Sequence, residues 1–401
     1  MLKLPEIFLF LCLPPFFKVN SAQQPGKVSI QSQVINPPLL KSRRDHLETF
    51  VSLSAISTAE ILRTNQNSPV CADSSITALP NDAYDVLGGE MKYCRIINGL
   101  WQLSGGHGYT PQIDASVDAM SNLYHSGFDT FDMADIYGPA ERFVGEYRRR
   151  NADDAPKQKF FTKWVPRPMK ISKDDAISAV NQSLIRTNSS KIDLLQFHWW
   201  EYSNTYYMSS LQYLQEMKEN GIIRQIGLTN FDTDHLEMVM GQGISIVSNQ
   251  VQYSLLDTRP ASKMAKFCSE NRVRLLCYGT LLGGFLSERF LGTERLKKLE
   301  TSSQKKYMRM IDVWGGWDNF QGLLNACNDI AIKHNASIAN VAVRWVLDQP
   351  SVGAAIVGTR LGYTDHTSSN RKTFGLKLDS EDREKLIQAQ SRGVPKQCFV
   401  L

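Results

Sequence analysis

The chain has 401 residues, 42% of them hydrophobic and 10% aromatic, enough to bury one large core, so one catalytic domain preceded by a leader is expected. Its formal charge of +5 comes from interspersed acids and bases with no basic run longer than three, which argues against nucleic acid and fits a small phosphate-bearing ligand. The seven cysteines show no CxxC spacing, so neither a zinc site nor a disulfide framework is indicated, and free thiols are expected.

Met1 to about Ala22 combines Lys3, an apolar stretch from Ile7 to Phe17 and the small pair Ser21-Ala22. That is the layout of a secretory signal peptide, too short to span a membrane and interrupted by Pro14 and Pro15. From there to about Asp85 the chain is rich in Ser, Thr, Asn and Pro without sustained periodicity. It reads as a disordered targeting leader and linker, 1–85, ahead of a domain at 86–401. Inside the leader, Ser42-Arg43-Arg44 followed by the moderately apolar Phe50 to Leu62 has the form of a twin-arginine export signal. A plastid with a thylakoid-lumen destination reconciles the two signals; plain secretion is the alternative. Asn181, Asn188 and Asn335 open glycosylation sequons, tripeptides that are also common by chance. At the far end, Cys398-Phe399-Val400-Leu401 matches a prenylation box, which a translocated chain would not present to a cytosolic enzyme. No transmembrane segment is expected in the mature domain.

From about Arg95, short β-branched or apolar runs alternate with longer amphipathic stretches. Strands are predicted near Arg95 to Leu100, Thr130 to Asp132, Lys159 to Lys163, Ile192 to Phe197, Ile223 to Leu228, Ile244 to Gln250, Arg274 to Tyr278 and Ala354 to Val357. Helical patterns run from Asp114 to Ser126, Ala140 to Arg149, Lys173 to Leu184, Tyr206 to Glu219, Thr233 to Met240, Ala261 to Asn271, Phe320 to His334, Ile338 to Leu347 and Ser380 to Ser391. Such alternation predicts an α/β fold of the (β/α)8 TIM-barrel type. No GxGxxG follows any strand, so a Rossmann dinucleotide site is not expected. The stretch from Thr280 to about Asn319 is too long for an ordinary βα loop and is expected to cover a site.

Barrel enzymes keep their chemistry at the C-terminal strand ends. There the predicted strands carry Asp132 with Tyr137 just beyond, then Lys163, His198, Thr229-Asn230, Asn249-Gln250, Tyr278 and Gly358-Thr359-Arg360. Taken singly, Tyr137 could be a rim aromatic, Lys163 a surface lysine, His198 a core histidine and Asp132 a helix cap. One polar group per strand end on one rim is harder to explain as packing. A phenol of pKa near ~10 is a poor acid at neutral pH unless its anion is favoured by about 3 to 4 kcal/mol. A lysine ammonium at ~4 Å supplies roughly 4 kcal/mol at an effective dielectric of ~20. Asp132 would keep Lys163 charged, and His198 could orient a carbonyl oxygen.

The run Gly127-Phe-Asp-Thr-Phe-Asp132-Met-Ala-Asp-Ile-Tyr137-Gly-Pro-Ala-Glu141 resembles the strongest signature of the aldo-keto reductase family. Phe161-Thr-Lys163-Trp, Lys191 to His198, Gly221 to Phe231 and Asn249 to Tyr253 follow in the family's order, and the likeness covers about Arg95 to Gln390. It implies an NAD(P)H-dependent oxidoreductase of the EC 1.1.1 type acting on a small carbonyl substrate, with Tyr137, Lys163, Asp132 and His198 as catalytic tetrad. It further implies that Thr229, Asn230 and Gln250 bond the nicotinamide carboxamide, that Tyr278 stacks on its ring, and that Gly358, Thr359 and Arg360 cradle phosphate with Asn370 near the adenine. Gly99 and Trp101 would line the pocket, with Trp199 on the substrate side. Ser369 and His366 stand where the family usually has an acid and a phosphate-binding Arg, so NADP(H) over NAD(H) rests on Arg360 and Arg371. Two alternatives are a nicotinamide-binding redox-sensing subunit with slow turnover and an aldolase using Lys163 as Schiff base.

Overall fold

The computed structural model describes residues 78–393; the signal-like stretch, the Arg43-Arg44 pair and the Cys398 box lie outside the described residues. The fold begins with an antiparallel hairpin, β1 (Tyr84–Leu87) and β2 (Met91–Cys94), paired from Tyr84↔Cys94 to Leu87↔Met91. Eight parallel strands then form a closed barrel: β3 (Ile96–Gly99), β4 (Thr130–Asp132), β5 (Lys159–Trp164), β6 (Ile192–His198), β7 (Ile223–Thr229), β8 (Ile246–Gln252), β9 (Arg274–Tyr278) and β10 (Val352–Gly358). Each neighbours the next in sequence, and β10 closes against β3. All eight expected strands are present. The hairpin is an addition that the sequence reading passed over, because it placed Tyr84 and Asp85 in the linker.

Strands covered on both faces need apolar residues on both. In β6 all seven residues are buried, so no hydrophobic alternation marks it, and the alternation lies in what each face meets. Leu194 joins Ile97, Phe161, Leu276, Ala354 and Ile356 inside the barrel, while Leu195 and Phe197 pack outward in the larger cluster with the helices. Leu87, Met91 and Tyr93 of the hairpin belong to the inner cluster, so the hairpin plugs the N-terminal end of the barrel. Apolar residues fill that end, and polar residues are left for the other.

The helices are α1 (Ile113–His125), α2 (Ala140–Arg150), α3 (Lys173–Arg186), α4 (Tyr206–Glu219), α5 (Thr233–Gly241), α6 (Lys263–Glu270), α7 (Ser302–Trp314), α8 (Gly316–Lys333), α9 (Ile338–Leu347), α10 (Thr367–Gly375) and α11 (Ser380–Gln390). Among the described residues none is long and apolar enough to cross a membrane. The connection after β9, expected as one long loop as far as Asn319, instead holds α7 and the start of α8. A capping box starts α7: the Thr301 hydroxyl accepts from Gln304 N–H, and the Gln304 side chain accepts from Thr301 N–H, each at 3.1 Å. Its buried Tyr307, Met308, Met310, Ile311 and Trp314 follow helical spacing. Two sequon asparagines have local backbone roles: Asn188 and Asn335 take the left-handed conformation just past α3 and α8, at φ 48° and 49°. Cys94, Cys268, Cys277 and Cys327 are buried free thiols, as the spacing predicted.

Candidate active site

Inward-facing positions near the C-terminal ends of the strands form one polar layer. Lys163 on β5 lies at 2% exposure, its Nζ donating to Asp132 Oδ2 at 2.6 Å and to the Met133 carbonyl at 3.0 Å. The other Asp132 oxygen accepts from Gln196 Nε2 and Gln250 Nε2, each at 2.8 Å, and Gln250 also donates to Gln196 Oε1 at 2.8 Å. Three strands besides β4 thus converge on one carboxylate, which satisfies its buried charge. Gly227 on β7 makes room for this layer, since a Cβ there would run into Ser248 Oγ and come within 3.3 Å of Gln196 Cγ. A register shift at Gly227 between β7 and β8 lets both Val247 and Gln250 serve the barrel interior, which strict alternation forbids.

Above this layer a cavity of about 480 Å³ opens. The Lys163 ammonium is 4.9 Å from the centroid of the Tyr137 ring, and both line the cavity. His198 is buried and lies 3.4 Å from Asn230 Nδ2 through its Nε2. Burial first, then the charges of Lys163 and Lys306, push its imidazole down to about 4. Tyr278 at the end of β9 is held by its hydroxyl, which donates to Asn230 Oδ1 at 3.0 Å. Asn230 itself is left-handed at φ 58°, a conformation asparagine adopts more readily than most residues.

Of the residues expected to act, Trp101, Asp132, Tyr137, Lys163, His198, Thr229, Asn230, Gln250, Tyr278, Gly358, Arg360 and Asn370 line this one cavity. Three do not. Trp199 follows Phe197 in facing outward: it is buried, stacks on Phe197 with centroids 5.9 Å apart, and donates from Nε1 to the Glu201 carbonyl. The period of two along the strand places it on the opposite side from His198, so it is not a pocket residue. Thr359 donates from its N–H to Gly99 O at 2.9 Å and from its hydroxyl to Val357 O at 3.3 Å, which turns its side chain back on its own strand. Arg371 donates to the carbonyl of Ser126 at 2.8 Å and is not among the cavity residues.

The sequence reading missed Gln196, which bridges Asp132 and Gln250, although its parity with His198 two residues on was a usable signal. It also missed His107, Ser303 and Lys306, all in the cavity wall. The last two come from α7. Gly279, at φ 72°, lets that helix approach: a Cβ there would lie 2.8 Å from Tyr307 Oη.

A closed parallel barrel whose cavity opens at the C-terminal strand ends, above a layer of polar side chains, has the architecture of the (β/α)8 enzymes. Within that class the chain belongs to the Aldo/keto reductase family, whose profile matches residues 95–390. It is 25% identical over 299 residues to "Pyridoxal reductase, chloroplastic" of Arabidopsis thaliana, covering 70% of this chain and 78% of that one. Against "NADH-specific methylglyoxal reductase" of Escherichia coli (strain K12) it is 23% identical over 286 residues, covering 65% and 84%. Among solved structures, the glycerol dehydrogenase AKR11B4 from Gluconobacter oxydans shares the fold with a TM-score of 0.65 at 21% identity, over 79% of this chain and 97% of that one.

Proposed function

We propose that the domain reduces an aldehyde or ketone to an alcohol with a reduced nicotinamide dinucleotide, Tyr137 supplying the proton. The observation that carries this reading is the buried Lys163 ammonium, 2.6 Å from Asp132 and 4.9 Å from the Tyr137 ring centroid, in the cavity wall. When bound, the nicotinamide supplies hydride to the carbonyl carbon. The phenol of Tyr137 then gives its proton to the carbonyl oxygen, and Lys163 stabilises the phenolate left behind. Asp132 keeps Lys163 charged. His198, neutral above pH about 4, is not the acid at neutral pH; its role is to hydrogen-bond the carbonyl oxygen and fix its approach. The same ion pair speaks against a Schiff-base aldolase, which needs Lys163 uncharged.

The cavity suits a nicotinamide on its own terms. Thr229 Oγ1 is buried without a protein partner beside Asn230 and Gln250, a donor and acceptor set that matches a carboxamide. Gln250 gives its Nε2 to Asp132 and Gln196, so it offers a ligand its carbonyl oxygen. Tyr278 presents a fixed ring for stacking. Gly358, Arg360 and Asn370 would hold the phosphate end, Thr359 contributing only its backbone. With Arg371 engaged at Ser126, the assignment of NADP(H) rests on Arg360, with NAD(H) the alternative; the Escherichia coli relative is named as NADH-specific.

The name of the Arabidopsis relative supports a plastid destination for the 1–85 leader, and a fluorescent protein fused to those residues would show plastid import or secretion. For activity, full-length protein is titrated with NADPH and NADH and then assayed with a panel of aldehydes and ketones. Turnover with either cofactor supports the reading. Tight cofactor binding without turnover overturns it in favour of a sensing subunit, and a borohydride-trapped adduct on Lys163 overturns it in favour of an aldolase.

A further inference from the structure

The turn that carries Tyr137 is joined to the strand that carries Lys163 through a side chain. β4 ends at Asp132, and Tyr137 lies beyond it. At first the chain keeps climbing along β5: Met133 N–H donates to Phe161 O at 2.9 Å and Asp135 N–H to Lys163 O at 3.1 Å. It then turns away, Tyr137 N–H donating to Ala134 O at 3.1 Å. In a continued parallel pair the next rung would run from Val165 N–H to the main-chain carbonyl of Asp135. That N–H goes to the Asp135 side chain, whose Oδ2 accepts it at 3.2 Å.

Asp135 therefore grips β5 on both sides of Lys163, at the Lys163 carbonyl and at Val165 N–H, while Met133 O accepts from the Lys163 ammonium at 3.0 Å. Tyr137 stands two residues past this grip, its ring centroid 4.9 Å from the ammonium. Packing alone would not choose a carboxyl at this position. Burial raises it to about 6 against the bond from Val165, Glu141 on α2 raises it further, and Arg186 on α3 lowers it. Its Oδ1 is buried without a protein partner. A buried carboxyl with one oxygen unsatisfied costs free energy that an apolar residue would not, so the bond to Val165 is what accounts for it. Glu141 makes no such link: it accepts from Thr162 Oγ1 at 2.6 Å and from Arg186 Nε at 2.5 Å.

We propose that Asp135 is a positioning residue, clamping the Tyr137 turn to β5 so that the phenol stays close to the Lys163 ammonium. Its catalytic meaning rests on the reductase reading; the clamp itself rests on the geometry. Opening a ~4 Å separation of ammonium and phenolate by ~1 Å weakens their attraction by about a fifth, which at an effective dielectric of ~20 raises the phenol's titration by about half a pH unit. Misplacement by ~1 Å also acts on the rate directly and can cost about 100-fold.

Four variants of the full-length protein separate the hydrogen bond from charge and from general loosening. Asp135→Asn keeps an acceptor at the same reach without the charge. Asp135→Glu keeps the charge but moves the oxygens by one methylene, and Asp135→Ala keeps neither. Thr162→Val is the structural control, since it breaks only the neighbouring contact to Glu141. The titration of Tyr137 is read as the phenolate absorbance of each protein minus that of the same protein carrying Tyr137→Phe. Asp135→Glu and Asp135→Ala are expected to raise it by about half a pH unit or more. Loss of a negative charge alone would lower it, so the rise in Asp135→Ala has the opposite sign to a charge effect. Asp135→Asn should stay at or slightly below the wild-type value, and Thr162→Val should lower the urea midpoint without moving the titration. With a carbonyl that is turned over, hydride transfer should fall about 10- to 100-fold in Asp135→Ala while NADPH affinity changes less than about threefold. An unmoved titration in Asp135→Glu overturns the inference. So does a rise in Asp135→Asn or in Thr162→Val as large as that in Asp135→Glu. Should Asp135→Ala not fold, Asp135→Asn against Asp135→Glu decides alone. If no carbonyl is turned over, the reductase reading fails separately, and the absorbance titration still decides the clamp.

Discussion

Replacing Asp132 with Asn would leave the Lys163 ammonium at 2% exposure without its counter-charge, facing the Met133 carbonyl at 3.0 Å and a neutral amide in place of the carboxylate. At 2.6 Å the pair attracts by about 6 kcal/mol at an effective dielectric of ~20, and desolvating the two ions offsets most of that. The intact pair is therefore worth little net, whereas one partner alone costs about 3 to 5 kcal/mol. Asp132→Asn and Lys163→Met should each lose that amount. The double variant removes both charges, keeps an acceptor for Gln196 and Gln250, and should lose only about 1 to 2 kcal/mol. In urea unfolding followed by tryptophan fluorescence, each single variant should lower the midpoint by about 1 to 2 M, with most of the loss recovered in the double. Turnover should not recover, because Lys163 is still missing. A double variant whose losses simply add would refute the claim of a mutually compensated pair. Restored activity would refute the role of Lys163.

Two further consequences can be measured. His198 titrates at about 4 in the folded protein against ~6.5 unfolded, so the unfolded state takes up the extra proton: stability is full above pH ~6.5 and falls by about 3 kcal/mol as pH drops toward 4. Urea midpoints from pH 7.5 down to 4.5 should therefore fall less steeply in His198→Gln; an unchanged slope would show that another group, such as the similarly lowered His107, carries the effect. Gly227→Ala should cost about 1 to 3 kcal/mol and reduce kcat, because the new methyl displaces Ser248 and Gln196 from the polar layer. Added Ser248→Gly should return part of both, and a neutral Gly227→Ala would show that the layer is not tightly packed.

The barrel was legible because each βα unit repeats its own pattern and because buried parallel strands are runs of apolar residues. The rim residues were legible because strand ends can be located to within a residue or two, enough to bring Asp132, Lys163 and His198 together. Direction along a strand was harder. Trp199 is adjacent to His198, and only the period of two, applied strictly, shows that the two side chains lie on opposite faces. The hairpin was hidden by its short strands and polar surroundings, although Gly88 and Gly89, both at positive φ, mark its turn. The first turns of α7 are polar enough to pass for loop, yet Thr301 and Gln304 form a capping box that announces a helix. Lys306 could not be placed in the cavity without that helix. Gln196 shows a different limit: its bonds to Asp132 and Gln250 depend on the closure of the barrel, which no local pattern encodes.

The proton-donor role of Tyr137 is tested most directly by Tyr137→Phe, with single-turnover hydride transfer and cofactor affinity measured on the same protein. The phenol is assigned to the substrate oxygen alone, so the hydride-transfer rate should fall by about 10²- to 10⁴-fold while NADPH affinity stays within a few-fold of wild type. Hydride transfer within about tenfold of wild type would be inconsistent with that expected loss and would remove Tyr137 from the mechanism.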